Sequence, residues 1–162
     1  SNCIFLDNGA EGAKVDYIKY DINLPFEESF KGVGGYKEKN FKFDAIFCLE
    51  VFEYVWNPVQ AIKNIYDFMN GDSVAYISFP AIYPVHNPVD IDYTRYTKNG
   101  IIKLLLNVGF KSEYINIQAR EATAGRLHLA NFYASEGMHP VRHSNLPFDI
   151  GYLVKVRRLS NE

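Results

Sequence analysis

Three carboxylates close apolar runs in this sequence, and one long loop gathers a histidine, an arginine and several tyrosines. Asp7 ends Cys3–Asp7, Asp21 ends Val15–Asp21, and Glu50 follows directly on the apolar run Phe43–Leu49. A carboxylate at a strand tip is placed to accept hydrogen bonds from the vicinal hydroxyls of a ribose-bearing ligand. Each has a plainer use. Asp7 precedes Asn8-Gly9, a pair that favours a tight hairpin turn. Asp21 could cap a turn, and Glu50 could stand at a helix start, where the macrodipole favours negative charge. The loop over 80–96 carries Tyr83, His86, Tyr93, Arg95 and Tyr96. His86 is able to take a proton or orient a substrate hydroxyl, although a lone loop histidine is more often a polar surface residue. Arg95 offers a two-pronged donor for a carboxylate or phosphate. Asp90 and Asp92 stand close in sequence to pair with it, and that structural role is put first. The tyrosines either wall a pocket or cover the end of a sheet.

These side chains need a frame, and the sequence supplies one. Phe43–Leu49 (FDAIFCL) reads as a buried strand from its continuous apolar character. Asn57-Pro58 caps a helix with Pro at its first position, Val59, Ile62, Ile65, Tyr66 and Met69 follow at spacings of three and four, and Asn70-Gly71 should stop it. Ser73–Phe79 is a further strand, ended by Pro80. Thr97 caps a second helix through Ile101, Ile102, Leu104, Leu105 and Val108, closed by Gly109. Lys111–Gln118 alternates as a strand, residues 24–42 read as loop with one irregular helical turn, and 121–137 are ambiguous. Ile150–Leu159 closes the series as a strand, placed near an edge because its second half is basic. Strand–helix–strand alternation over 43–118 predicts an α/β fold with a mostly parallel sheet and right-handed crossovers. Ligands in such sheets bind beyond the carboxyl ends of the strands, where the carboxylates above fall.

Three stretches, taken in order, resemble the class I (Rossmann-like) S-adenosylmethionine-dependent methyltransferases, in particular their small-molecule branch. Tyr20-Asp21-Ile22-Asn23-Leu24-Pro25-Phe26 is similar to that branch's D-x-x-x-L-P-F. Phe43–Pro58 (FDAIFCLEVFEYVWNP) is similar to the fourth-strand signature F-D-x-V followed by E-V-L-E-H-V-x-D-P. Pro84–Thr97, with His86, Pro88 and Asp92-Tyr93-Thr94-Arg95-Tyr96-Thr97, is similar to the P-x-H-x-P…D-Y-x-R-Y-T loop of one subgroup. The resemblance covers most of residues 1–118 and implies a Rossmann-like sheet with flanking helices, S-adenosylmethionine as cofactor, and methyl transfer to a small-molecule or sugar-like acceptor. It implies Asp7 at the ribose, Asp21 at the adenine amino group with Ile22 walling the ring, and Leu49 and Glu50 toward the cofactor's methionine end. His86 becomes the candidate catalytic base, and Tyr83, His86, Tyr93, Arg95 and Tyr96 the candidate substrate contacts. Tyr54 stands where many relatives carry His. A phenol with an ordinary pKa of about 10 is a poor base at neutral pH, so packing is its expected role.

The family opens with a strand and a glycine-rich E/D-x-G-x-G-x-G loop. Leu6-Asp7-Asn8-Gly9-Ala10-Glu11-Gly12-Ala13 has Glu11 where the pattern needs Gly, and leaves no room for a first helix before the next strand. The first strand and helix of the family are therefore expected to be missing, making 1–162 a single, N-terminally incomplete methyltransferase-like domain. Weak or absent activity follows as an expectation, because methyl transfer depends on holding cofactor and nucleophile in line. The alternative is a non-catalytic binding or assembly module. An exposed strand edge in such a module recruits a second chain, so a homodimer is expected with it.

Composition narrows the field further. The 162 residues are 48% hydrophobic and 22% charged, with 12 Tyr and 12 Phe, so disorder does not describe the chain. Lys and Arg number 17 against 19 Asp and Glu, a formal net charge of −2, which supplies no global field for nucleic acid or an anionic membrane. Two cysteines without a C-x-x-C argue against a disulfide scaffold and a structural zinc, so no metal is expected. Cys48 reads as a buried thiol. A Rossmann-like oxidoreductase is disfavoured, since no G-x-G-x-x-G exists. The cytoplasm is the expected compartment.

Overall fold

The computed structural model describes residues 4, 6–7, 18–29, 42–82, 85, 89–121 and 149–159. Its elements are β1 (Leu6–Asp7), β2 (Ile18–Lys19), α1 (Phe26–Ser29), β3 (Phe43–Cys48), α2 (Pro58–Phe68), β4 (Met69–Pro80), α3 (Lys98–Val108), β5 (Ile115–Glu121) and β6 (Asp149–Arg158). Short 3-10 turns at Phe52–Tyr54, Val89–Ile91 and Ser112–Tyr114 join them. Tyr83 and His86 lie outside the described residues, as does the ambiguous stretch over 122–137.

A four-stranded sheet runs β3-β4-β6-β5, with β3 and β4 parallel and β6 antiparallel to both its neighbours. β1 and β2 form a separate two-stranded parallel pair, Leu6 opposite Ile18 and Asp7 opposite Lys19. A two-residue turn joins only antiparallel strands, so no hairpin connects β1 to β2; Asn8 and Gly9 themselves lie outside the described residues. The architecture is α/β with a mixed sheet.

Local signals explain both long helices. The Asn57 side chain accepts from the Gln60 N–H, and Pro58 is the first helical residue of α2. The Thr97 hydroxyl accepts from the Gly100 N–H, and α3 ends on Gly109 at φ +120°, a left-handed conformation that favours glycine. Ala61, Ile62 and Ile65 of α2 with Ile101 and Leu105 of α3 pack on one face of the sheet, against Ala75, Ile77, Phe79, Tyr152, Val154 and Val156.

Three expectations need correction. β6 lies in the sheet interior, between β4 and β5, although it carries Lys155, Arg157 and Arg158. Its alternation accounts for this: Val154 and Val156 point into the core, while Lys155 and Arg157 stand exposed on the opposite face. Asn70-Gly71 does not stop α2, which ends at Phe68, and the pair lies inside β4, where Asp72 takes a positive φ of 68° and the β3–β4 register shifts. β3 is not buried on both faces. Ile46 and Cys48 turn toward the core, but Phe47 is 69% exposed and Leu49 48%. Phe47 stacks on Tyr76 at 5.2 Å between ring centroids, and Lys155 Nζ sits 5.8 Å from the Tyr76 ring.

Candidate functional site

The carboxyl ends of β3, β4 and β5 and the start of β6 form one rim, because β5 and β4 both run antiparallel to β6. At that rim Glu50 has φ +54°, a left-handed conformation that costs a non-glycine residue about 1–2 kcal/mol. Ser78 of β4 holds it. The Glu50 N–H donates to Ser78 Oγ at 2.7 Å, and the same hydroxyl donates to Glu50 Oε1 at 3.2 Å. Arg120 of β5 donates from Nη1 to Glu50 Oε1 at 2.9 Å. Both bonds fall on one carboxylate oxygen, and among the described residues none bonds Oε2. Beside this cluster lies a pocket of about 460 Å³ lined by Leu49, Glu50, Ser78, Gln118, Arg120 and Leu153. That volume is in the range that takes a small organic molecule.

Asp21 reaches the same end of the molecule by another route. Tyr20 meets Phe68 at the carboxyl end of α2, with ring centroids 5.4 Å apart. Asn23 meets the amino end of α2, its Oδ1 accepting the N–H groups of Trp56 and Asn57 at 2.9 and 3.1 Å. The chain from Tyr20 to Asn23 therefore climbs antiparallel to α2, in the direction of β3. Asn64 Nδ2 fixes this segment by donating to the carbonyls of Ile22 and Leu24, both at 2.9 Å. Asp21 Oδ1 accepts from the backbone and side-chain nitrogens of Asn23 at 2.9 and 3.0 Å, so this oxygen caps its own turn. Ile22 is half-buried against the core. Asp21 and Glu50 thus follow strands that point the same way, but Asp21 does not line the pocket beside Glu50. Of Asp7 only the backbone is described, at the end of β1.

Residues 92–96 are stitched to the turn at Phe52–Tyr54. The N–H groups of Tyr93 and Thr94 donate to the Glu53 carbonyl, and Thr94 Oγ1 donates to the Phe52 carbonyl at 2.7 Å. Arg95 makes a two-pronged pair with Asp92, including Nη2 to Oδ2 at 2.7 Å, and donates to the Thr94 carbonyl at 2.8 Å. That is the structural role put first from sequence. The Tyr96 ring packs edge-on against Phe79 at 5.0 Å and joins the core, whereas Tyr93 is exposed. Tyr54 lies among Glu53, Asp92 and Glu50, and burial together with those charges raises its pKa, which keeps the phenol protonated.

Two residues at the site had no role from sequence. Arg120 falls at the end of a strand expected to stop at Gln118, so its place on the rim was not visible. Asp149 begins β6 with 7% exposure, and its Oδ1 has no hydrogen-bond partner among the described residues. Cys48 is buried, and burial with the nearby Glu53 pushes its thiol up to about 12, as an inert core thiol requires. Among the described residues no group of His, Cys, Asp and Glu could hold a metal ion, and no helix is long and apolar enough to cross a membrane.

No protein-family model and no curated protein matches the chain. Solved structures do. A S-adenosylmethionine-dependent methyltransferase from Archaeoglobus fulgidus superposes with a TM-score of 0.57 at 14% identity, over 96% of this chain and 75% of that one. One from Mesorhizobium loti gives 0.53 at 13% identity, over 92% and 72%. The [4+2]-cyclase SpnF gives 0.52 at 13% identity, over 90% of this chain and 57% of that one. The chain therefore has the Rossmann-like fold of class I S-adenosylmethionine-dependent methyltransferases. A cyclase among its likenesses shows that this fold does not fix the reaction.

Proposed function

We propose that this protein is a S-adenosylmethionine-dependent methyltransferase acting on a small-molecule or sugar-like acceptor. The observation that carries the reading is Glu50, held in a left-handed conformation at the tip of β3 by Ser78, with a carboxylate oxygen that no described residue bonds beside an open pocket of about 460 Å³. Strain of this kind persists where the surroundings over-determine it, and it clusters at functional sites.

The residues present fit the cofactor's chemistry. S-adenosylmethionine supplies a methyl group made electrophilic by its sulfonium. Glu50 would lie near the cofactor's methionine end, where a carboxylate stabilises the positive charge, and Leu49 would pack beside it. Asp21, through the oxygen not bound to Asn23, would accept from the adenine amino group, with Ile22 along the ring and Asp7 at the ribose. The acceptor would meet Tyr83, His86, Tyr93, Arg95 and Tyr96, with His86 taking its proton. Arg95 is engaged with Asp92, so its contribution is to hold this loop in shape. For residues 1–162 alone, which carry no glycine-rich loop, we propose weak cofactor binding and low activity. We place this function in the cytoplasm.

Titration calorimetry with S-adenosylhomocysteine tests the reading. Weak but measurable binding, reduced at least tenfold (about 1.4 kcal/mol) in Glu50→Gln, is expected. The absence of binding up to millimolar ligand would sink it. A second reading, a methyltransferase-like assembly module, is favoured by one observation: Phe47 of β3 and Leu49 just after it stand exposed, and β3 is an edge strand among the described residues. A tight dimer by light scattering, together with no cofactor binding, would select that reading.

A further inference from the structure

Arg120 and Glu50 sit on strands at opposite sides of the sheet, with β4 and β6 between them. Three strand spacings of about 4.8 Å separate β3 from β5, so the two side chains bond only by lying over the rim. Gly151 of β6 stands opposite Arg120 in the register and lines the narrow cleft between the pair. A Cβ there would come within 2.8 Å of the Phe79 carbonyl oxygen, so the backbone itself keeps this crossing clear.

The pair contributes little to the fold. Both side chains are about half exposed, at 53% and 55%, and an ion pair so exposed adds little to stability. Glu50 engages Nη1 of Arg120. The guanidinium has five N–H donors in a planar fork, and among the described residues none bonds the edge formed by Nε and Nη2. Among the described residues Glu50 is the single acid in the pocket lining, and it is already paired; Gln118 adds a neutral donor, Ser78 gives its one O–H to Glu50, and Leu49 and Leu153 add apolar wall.

We infer that Arg120 binds an oxyanion of the methyl acceptor, a carboxylate or a phosphate, on the guanidinium edge that Glu50 leaves unengaged. The inference rests on the transferase reading above and names its substrate class: a small anionic molecule with an apolar portion. Glu50 then has two duties at one carboxylate. Oε1 steers Arg120, and Oε2 serves the cofactor side.

Ligand-observed NMR titrations with benzoate, phenyl phosphate and the neutral benzamide test this, with calorimetry of S-adenosylhomocysteine alongside. Either anion is expected to bind at least tenfold more tightly than benzamide, in line with the strength of charge-assisted hydrogen bonds. Benzoate and phenyl phosphate tell a carboxylate site from a phosphate site. Arg120→Gln should erase the preference, and Arg120→Lys should keep part of it for phenyl phosphate, since a point charge replaces the fork. S-adenosylhomocysteine affinity should fall by less than the anion affinity in either variant, because Arg120 reaches the cofactor side only through Glu50 Oε1. Equal binding of benzoate, phenyl phosphate and benzamide, or a preference that survives Arg120→Gln, overturns the inference. So does a matching loss of S-adenosylhomocysteine affinity in Arg120→Gln, which would put Arg120 on the cofactor. Arg120-dependent anion binding without any S-adenosylhomocysteine binding would keep the oxyanion site and overturn the transferase reading instead.

Discussion

The hydroxyl of Ser78 grips Glu50 twice, accepting from its backbone N–H at 2.7 Å and donating to its carboxylate at 3.2 Å. Ser78 is buried, so its loss leaves the Glu50 N–H without a partner. Ser78→Ala should cost about 1–2 kcal/mol of stability by urea unfolding. It should also weaken S-adenosylhomocysteine binding, because the carboxylate is no longer aimed. Unchanged affinity would show that Glu50 needs no such support.

Glu50 should trade stability for binding. Glycine adopts φ +54° without the penalty that glutamate bears there, and the gain exceeds its extra backbone entropy. Glu50→Gly should therefore stabilise the protein by about 0.5–1 kcal/mol while lowering ligand affinity at least tenfold. A variant both less stable and equally able to bind would refute the pairing of strain with function.

Asn64 ties the Asp21 segment to α2 through two carbonyls, and it is buried. Asn64→Ala leaves both acceptors unpaired and should cost about 2–3 kcal/mol. Hydrogen exchange should rise at residues 21–24 more than in α3. A uniform rise would mean the contact is global and not a local tether.

The thiol of Cys48 makes the fold sensitive to alkali. Its pKa is raised from 9.0 to about 12 by burial, so the unfolded chain loses this proton first as pH rises. The stabilising difference is whole below about pH 9 and shrinks as pH climbs toward 12. Tyr96 and Tyr152, also raised by burial, act in the same direction. Urea midpoints at about pH 8 and pH 10.5 should fall in the native protein and fall less in Cys48→Ala. In a Cys3→Ser background, thiol reagents should label Cys48 only after denaturant is added.

Both long helices were legible because their caps are local: Asn57-Pro58, Thr97 and Gly109 state their positions within a turn of chain. The strands over 43–48 and 73–79 were legible from apolar character alone. The place of β6 was not, since strand order depends on partners more than 70 residues away, and two exposed basic residues look the same on an edge as on an uncovered face. Asn70-Gly71 misled for a related reason: α2 gives way to extended chain at Met69 without any glycine. At the site, Glu50 could be read from its position after an apolar strand. Arg120 could not, because its significance comes from reaching over Gly151 to a residue 70 positions earlier.

Ribosomal synthesis makes β6 last among the described elements, yet it separates β4 from β5, pairing Ser73 with Arg158 and Ile115 with Val156. The Arg158 guanidinium also bonds the carbonyls of Tyr66 and Met69 at the junction of α2 and β4. A nascent chain lacking those residues leaves β4 and β5 without the strand that lies between them, each with open hydrogen-bonding groups. Assembly therefore finishes by threading one late ribbon between two waiting ones.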